Sequence, residues 1–219
     1  MADINIKGVI VSNTDRWIYD FFGVENTAPA SVIKAVETAR KSGERVDVYI
    51  NSPGGDISAG ADIYSALRGY SDVHIHITGQ ACSAASVIAC AGRSDISPVG
   101  MVMIHNVSMA AEGDNRDMSH AATVLKTADK SIASAYVEKT GRSMEEMLGL
   151  MAKETWLTAD EAVELGLVDE ISAPATGAAP AGMKLCAAAI PLLPEKLLAE
   201  MRNKGAKARA ELDLLKIRR

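Results

Sequence analysis

The run from Gly79 to Gly92, Gly-Gln-Ala-Cys-Ser-Ala-Ala-Ser-Val-Ile-Ala-Cys-Ala-Gly, constrains this chain more than any other. Before it, His74-Ile75-His76-Ile77-Thr78 alternates as a strand does. A strand that turns through small residues into a short apolar helix puts Ser83 at the first helical turn. There a hydroxyl projects into a crevice and the unpaired N–H groups of the helix start can hold an anion. Ser83 is therefore the candidate nucleophile, and the rest of the chain is expected to build its pocket.

The elements on either side alternate between strand and helix. Ile4 to Val11 is a predicted strand, and Thr14 to Asn26, rich in aromatics, is expected to be a connection packed on the sheet. A helix opens near Thr27-Ala28-Pro29, with proline in its first turn, and stops at Gly43. Val46 to Ile50 is a strand that ends in a turn, Asn51-Ser52-Pro53-Gly54-Gly55-Asp56, before a helix from Ile57 to Leu67. After the opening stretch come short strands at Asp95–Ser97 and Val102–His105. This order predicts an α/β fold with a parallel sheet and right-handed crossovers.

Val107 to Asp114 is polar, a loop or exposed ribbon, and Asp117 to Lys139 carries a helical stripe from Met118 to Ala135. Ser143 with Glu146, and Thr158 with Glu161, have the spacing of capping boxes. Gly166 closes the last core helix before a strand at Leu167–Ile171.

Charge separates the end of the chain from the rest. From Met183 onward there are nine Lys/Arg against four Asp/Glu, a net of +5, so the preceding 182 residues carry −10 of the total of −5. An acidic main body, in a chain with only 4% aromatic residues, excludes nucleic acid as its partner. The basic tail, Pro194 to Arg219, has helical character, and the Ala/Pro/Gly-rich stretch at 173–182 is a linker. Three cysteines without a CxxC pair point to reduced thiols, and with neither a signal pattern nor a membrane-length apolar run the expectation is a cytoplasmic location without membrane association.

A serine nucleophile needs a base, a group to orient the base, and donors for the oxyanion. His105 ends an apolar strand, where a sheet delivers residues into a cleft; alone, that position suits a structural histidine as well. His120 lies on the long helix and is expected in solvent. His74 and His76 share a strand face, but a metal site needs further ligands and none stands at a recognisable spacing, so no metal is expected. The two glycines after Pro53 let backbone N–H groups turn toward a ligand, or simply make a turn.

Together, Tyr49-Ile50-Asn51-Ser52-Pro53-Gly54-Gly55, Gly60, Ile63-Tyr64, Gly79-Gln80-Ala81-Cys82-Ser83 and Met103-Ile104-His105 resemble the ClpP family of serine peptidases. Lys139-Thr140-Gly141-Arg142-Ser143 and the segment from Trp156 to Asp169 continue the likeness in unbroken order over about residues 45 to 172. The resemblance implies a ClpP/crotonase-like ββα superhelix over 1–172, with a protruding strand-turn-helix handle, followed by the linker and a helical tail over 183–219. It implies Ser83 as nucleophile, His105 as general base, the N–H groups of Gly55 and Ala84 as oxyanion hole, and no cofactor. Gly54 shapes the turn, and Val107, Ser108 and Met109 fall where the family pairs with extended substrate. The acid that orients the histidine is an aspartate in the family; the aligned residue here is Glu154.

The family also implies protein or peptide substrates and a homo-oligomeric ring, stacked on a second ring through the Asp117–Lys139 helix. The axial-loop segment and the charged run before Glu154 depart from the family pattern, which puts the docking of an unfoldase in doubt. The Ile6–Trp17 segment and Glu154-Thr155-Trp156 are more similar to phage-encoded ClpP-like prohead proteases. These cut scaffold and capsid proteins without ATP, in the host cytoplasm. Two other classes compete: a crotonase-type acyl-CoA enzyme, opposed by Ser83 and His105, and a ring-forming assembly protein with a decayed site.

Overall fold

In the computed structural model, residues 1–173, 193–194 and 196–205 are described. All but the first residue of the expected linker at 173–182, and residues 183–192, 195 and 206–219 of the expected tail, lie outside them. In chain order the elements are β1 (Ala2–Ile10), α1 (Arg16–Phe21), β2 (Asn26–Thr27), α2 (Pro29–Ser42), β3 (Val46–Gly55), α3 (Ile57–Arg68), β4 (Val73–Cys82) and α4 (Ala84–Ala89). Then follow β5 (Arg93–Ile96), β6 (Met101–Ile104), α5 (Asn115–Thr140), α6 (Met144–Ala152), β7 (Thr155–Thr158), α7 (Ala159–Leu165) and β8 (Glu170–Ile171). A further helical segment occupies 196–205. Among the described residues, no helix is long and apolar enough to cross a membrane.

The expected α/β architecture is present. The sheet runs β2-β1-β3-β4-β5-β8 with all neighbours parallel, and off this path β6 pairs parallel with β4 and antiparallel with β7. β4 changes partner along its length: His74–Ile77 pair with β5, whereas Gln80–Cys82 pair with β6. This fork positions the site, because it lays β6 in place of β5 beside the end of β4, which stays paired with β3 through Ser52–Ala81. Val46, Val48, Ile50, Ile75 and Ile77 point into the core, where Ile63 and Leu67 of α3 and Ile88 of α4 meet them at 1% exposure or less. Each such aliphatic side chain contributes roughly 1.5–3 kcal/mol when fully buried.

Helix boundaries follow the sequence signals. Pro29 occupies the first turn of α2 and Gly43 ends it with φ 66°, a left-handed conformation that costs glycine nothing. Ser143 accepts from the Glu146 N–H, and Thr158 and Glu161 complete a reciprocal capping box. Three expectations change. The strand before the proline runs on through Pro53 to Gly55. The last strand is shorter than Leu167–Ile171, because Leu167 and Val168 turn into the core first. The aromatic connection contains a helix, α1, whose helical spacing turns Ile18 and Tyr19 inward and leaves Trp17, Phe21 and Phe22 exposed instead of on the sheet.

α5 is 26 residues long, about 39 Å at 1.5 Å per residue. Its C-terminal half is anchored by Ile132, Ala133, Ala135 and Tyr136, while residues 115–120, His120 among them, are exposed. The apolar stripe expected along the whole helix is therefore covered only in its second half.

Candidate active site

Ser83 stands between β4 and α4 with φ 55° and ψ −123°, a conformation that L-residues avoid. Such strain persists only where neighbours over-determine it. Here the Ser83 N–H donates to Met103 O at 2.8 Å, and the Ser83 carbonyl accepts from the Ser86 hydroxyl at 2.6 Å. Since Ser86 spends its one proton on that bond, the buried Tyr136 hydroxyl, 2.8 Å away, is the donor to Ser86. Burial pushes the Tyr136 phenol well above its ordinary pKa, so it remains a donor. The prop under the elbow thus comes from α5, 50 residues downstream.

The register of β4 with β6 delivers the base. Cys82 is opposite Met103, so His105, two residues beyond, arrives alongside Ser83. His105 Nε2 and Ser83 Oγ are 2.8 Å apart. A neutral imidazole that accepts from Ser83 at Nε2 carries its own proton at Nδ1. The neighbouring Cys82 is no rival nucleophile, because burial pushes its thiol to about 12.

The end of β3 closes the other side. Gly54 has φ 92°, and a Cβ there would lie 2.5 Å from Cys82 O, 2.7 Å from the Ser83 Cβ and 3.1 Å from Ala84 N. Only glycine allows this approach. Ser52, fully buried, donates to Gly8 O at 2.6 Å and accepts from the Gly54 N–H at 3.1 Å, which holds the strand end in place. Gly55 follows with φ 147°, and the Ala84 N–H, at the first position of α4, has no acceptor within its helix.

Glu154 is placed differently from these. The antiparallel β6–β7 pairing ends at Ile104–Thr155, so His105 and Glu154 both lie just past the paired residues at the same end of the two strands. Its backbone is left-handed, φ 50°, and its exposed carboxylate accepts from Trp156 Nε1 at 3.3 Å. Among the described residues no hydrogen bond joins it to His105. Trp156, two residues on, thus holds the carboxylate that the family resemblance assigns to the histidine.

Beyond His105, residues 107–112 have no regular structure, which is the loop and not the ribbon of the two expected alternatives. The Val107 N–H donates to the buried Asp129 of α5 at 2.7 Å and is thereby engaged, whereas Ser108 and the half-exposed Met109 are open to solvent. Sequence reasoning passed over Asp129, Ser86 and Tyr136. The signal for Asp129 is present: a carboxylate between Ala128 and Ile132, on the inward side of an apolar stripe, needs a buried donor.

Comparison with known proteins agrees with this geometry. Residues 17–175 match the family model of the Clp protease. The chain is 33% identical over 186 residues to an "ATP-dependent Clp protease proteolytic subunit 1" of Chlamydia abortus, covering 78% of this chain and 96% of that protein. It is 34% identical over 133 residues to an "ATP-dependent Clp protease proteolytic subunit" of Bacteroides fragilis, covering 59% of this chain and 64% of that protein. The chain belongs to the Clp protease family, and it is a serine peptidase of the ClpP type.

Proposed function

We propose that Ser83 and His105 hydrolyse peptide bonds in extended protein segments; the 2.8 Å contact between Ser83 Oγ and His105 Nε2 at a strained elbow carries this reading. His105 takes the Ser83 proton as Oγ attacks the scissile carbonyl. The N–H groups of Gly55 and Ala84 receive the oxyanion, and each such donor is worth on the order of 3 kcal/mol in the transition state. His105 then gives the proton to the leaving amine, and water repeats the sequence on the acyl-enzyme. Glu154 completes the triad by turning from Trp156 to the Nδ1–H of His105, a reading supported by its place next to the last β6–β7 pair, Ile104–Thr155, which adjoins His105 on the other strand. A fluorophosphonate probe should label the wild type and leave Ser83→Ala unlabelled; equal labelling of both removes Ser83 as nucleophile.

The natural substrates on this reading are scaffold or capsid proteins of a phage prohead, cut in the host cytoplasm by a homo-oligomeric ring without an unfoldase. The Glu154-Thr155-Trp156 motif and the net +5 of the segment from Met183 onward support it. The names of the relatives favour a second reading, a degradative subunit that works with an ATP-driven partner. Incubation with a folded capsid precursor, with and without an AAA+ unfoldase and ATP, separates the two. Defined fragments without ATP are expected; cleavage only in the presence of unfoldase and ATP overturns the ATP-independent reading.

A further inference from the structure

His74 and His76 are not the isolated strand pair that their spacing suggests. On β3, β4 and β5 the residues alternate with those of the core, and Asp47, Tyr49, His74, His76 and Asp95 share the opposite face of the sheet. The parallel register sets Asp47 beside His74 and His76 beside Asp95. As a result one ligand atom each from Asp47, His74 and His76 lie within 4.8 Å of one another. The two rings are 5.9 Å apart and nearly perpendicular, so their nitrogens can converge on a point between them.

Two details distinguish this cluster from a chance meeting of polar side chains. First, His76 Nδ1 lies 2.6 Å from Asp95 Oδ2. A carboxylate on one ring nitrogen fixes the tautomer and turns the lone pair of the other nitrogen outward, as the partners of metal-binding histidines do. Secondly, the outward nitrogen, Nε2, lies 3.2 Å from Oδ1 of Asp47. Two ligands bound at 2.0–2.1 Å to a tetrahedral ion stand about 3.3 Å apart. The Asp47–His76 separation is thus already close to the edge of a tetrahedral site. The Asp47 side chain is 1% exposed and is held by Arg45, whose Nη2 donates to Oδ1 at 2.6 Å and Nε to Oδ2 at 3.0 Å. Arg45 itself is 44% exposed and can withdraw into solvent from the oxygen that a cation would take.

We propose that Asp47, His74 and His76 bind a divalent transition metal, with Asp95 orienting His76 and solvent in the fourth position. Two imidazoles and one carboxylate form a borderline donor set that suits Zn2+ and disfavours Mg2+ or Ca2+, which take oxygen ligands. Bound there, the ion ties β3 to β4, the strands that end at Gly54–Gly55 and at Cys82–Ser83.

The test is calorimetric titration of the chelator-treated full chain with Zn2+, in a His105→Ala background so that the Ser83–His105 pair does not compete. One saturable site per chain is expected, with a melting temperature that rises with Zn2+ concentration. His74→Ala should lower the affinity 100-fold or more, and Asp95→Asn 10- to 100-fold. Arg45→Ala should raise it. His74 is half-buried at the sheet surface, so His74→Ala keeps the test valid if substitution of Asp47 or His76 prevents folding. With Co2+ as probe, the wild type should give the intense visible bands of four-coordinate cobalt and His74→Ala should not. Absence of a saturable site, or binding that His74→Ala leaves unchanged, overturns the proposal and makes the cluster an ionic clamp of His76 between two aspartates.

Discussion

At Ser83 the backbone opposes its own side chain: φ 55° with ψ −123° suits glycine, and holding any other residue there costs on the order of 1–3 kcal/mol. Ser83→Gly is therefore expected to be inactive yet more stable than the wild type by about 1 kcal/mol, measured by urea unfolding. Ser83→Ala keeps the strain and loses only the nucleophile, so its unfolding midpoint should stay at the wild-type value while turnover falls by about six orders of magnitude. Equal stabilities of the glycine and alanine variants would show that the elbow is not strained. Glu154 poses a different residue-scale question, since its carboxylate faces Trp156 in this structure. If it turns to His105 in the working enzyme, Glu154→Gln should lower kcat by about 10³-fold or more, as the loss of a histidine-orienting carboxylate does elsewhere. Trp156→Phe, which removes the competing donor, should leave kcat equal or higher. A Glu154→Gln effect of less than a few-fold would exclude Glu154 from the triad.

Between elements, the site depends on what α5 supplies from beneath. Asp129 holds the Val107 N–H, and Tyr136 supports Ser86 and through it the Ser83 carbonyl. Asp129→Ala removes the acceptor for a part-buried N–H and frees the segment that follows His105. KM for an extended peptide should rise by about tenfold with a smaller change in kcat, consistent with the roughly 1–3 kcal/mol cost of an unsatisfied buried donor; unchanged steady-state parameters would show that this segment does not meet substrate. Most helices were legible in the sequence because their ends have local chemical causes, such as Pro29 and Gly43 for α2 or Thr158 and Glu161 for α7. The continuation of β3 through Asn51-Ser52-Pro53-Gly54-Gly55 was not, since those residue types read as a turn. Proline and glycine are tolerated there because the register shifts nearby on both sides, between Lys7 and Val9 against β1 and between Ile50 and Ser52 against β4. The meeting of Ser83 with His105 was foreseen through family likeness. Periodicity alone cannot show it, because it depends on β4 exchanging β5 for β6 halfway along. Nor could spacing reveal Asp47 beside the paired histidines, since the strands that join them are 27 residues apart in sequence at Asp47 and His74.

Across the whole molecule, two surfaces lie away from the catalytic pair. The exposed first half of α5, with Met118 at 38% and Val124 at 44% exposure, is the element expected to join one ring to another copy. Met118→Asp with Val124→Asp should reduce the sedimenting assembly to a smaller one with little change in melting temperature, because neither residue belongs to the buried core of the protomer. At the opposite end of the sequence, the 196–205 segment returns to the start of the chain. Leu198 is buried with Val9, Val11, Ile18 and Tyr19, and Arg202 donates to both carboxylate oxygens of Asp15 at 2.6 Å. The Arg202 guanidinium holds the Asp15 carboxyl below the usual carboxylate range. A carboxyl with a lowered folded-state pKa contributes stability that is complete above its unfolded value, near 3.9, and is lost as pH falls through the folded value. Docking of 196–205 should therefore be insensitive to pH from neutrality down to about 4 and weaken below it. Arg202 is 38% exposed, so solvent screening limits the pair to about 1 kcal/mol, and Leu198 contributes more through its apolar area. Asp15→Asn should consequently raise amide exchange in 196–205 by about fivefold at pH 7, whereas Leu198→Ala should raise it by tenfold or more. If Asp15→Asn increased exchange more than Leu198→Ala, the ion pair and not the apolar contact would hold the segment in place.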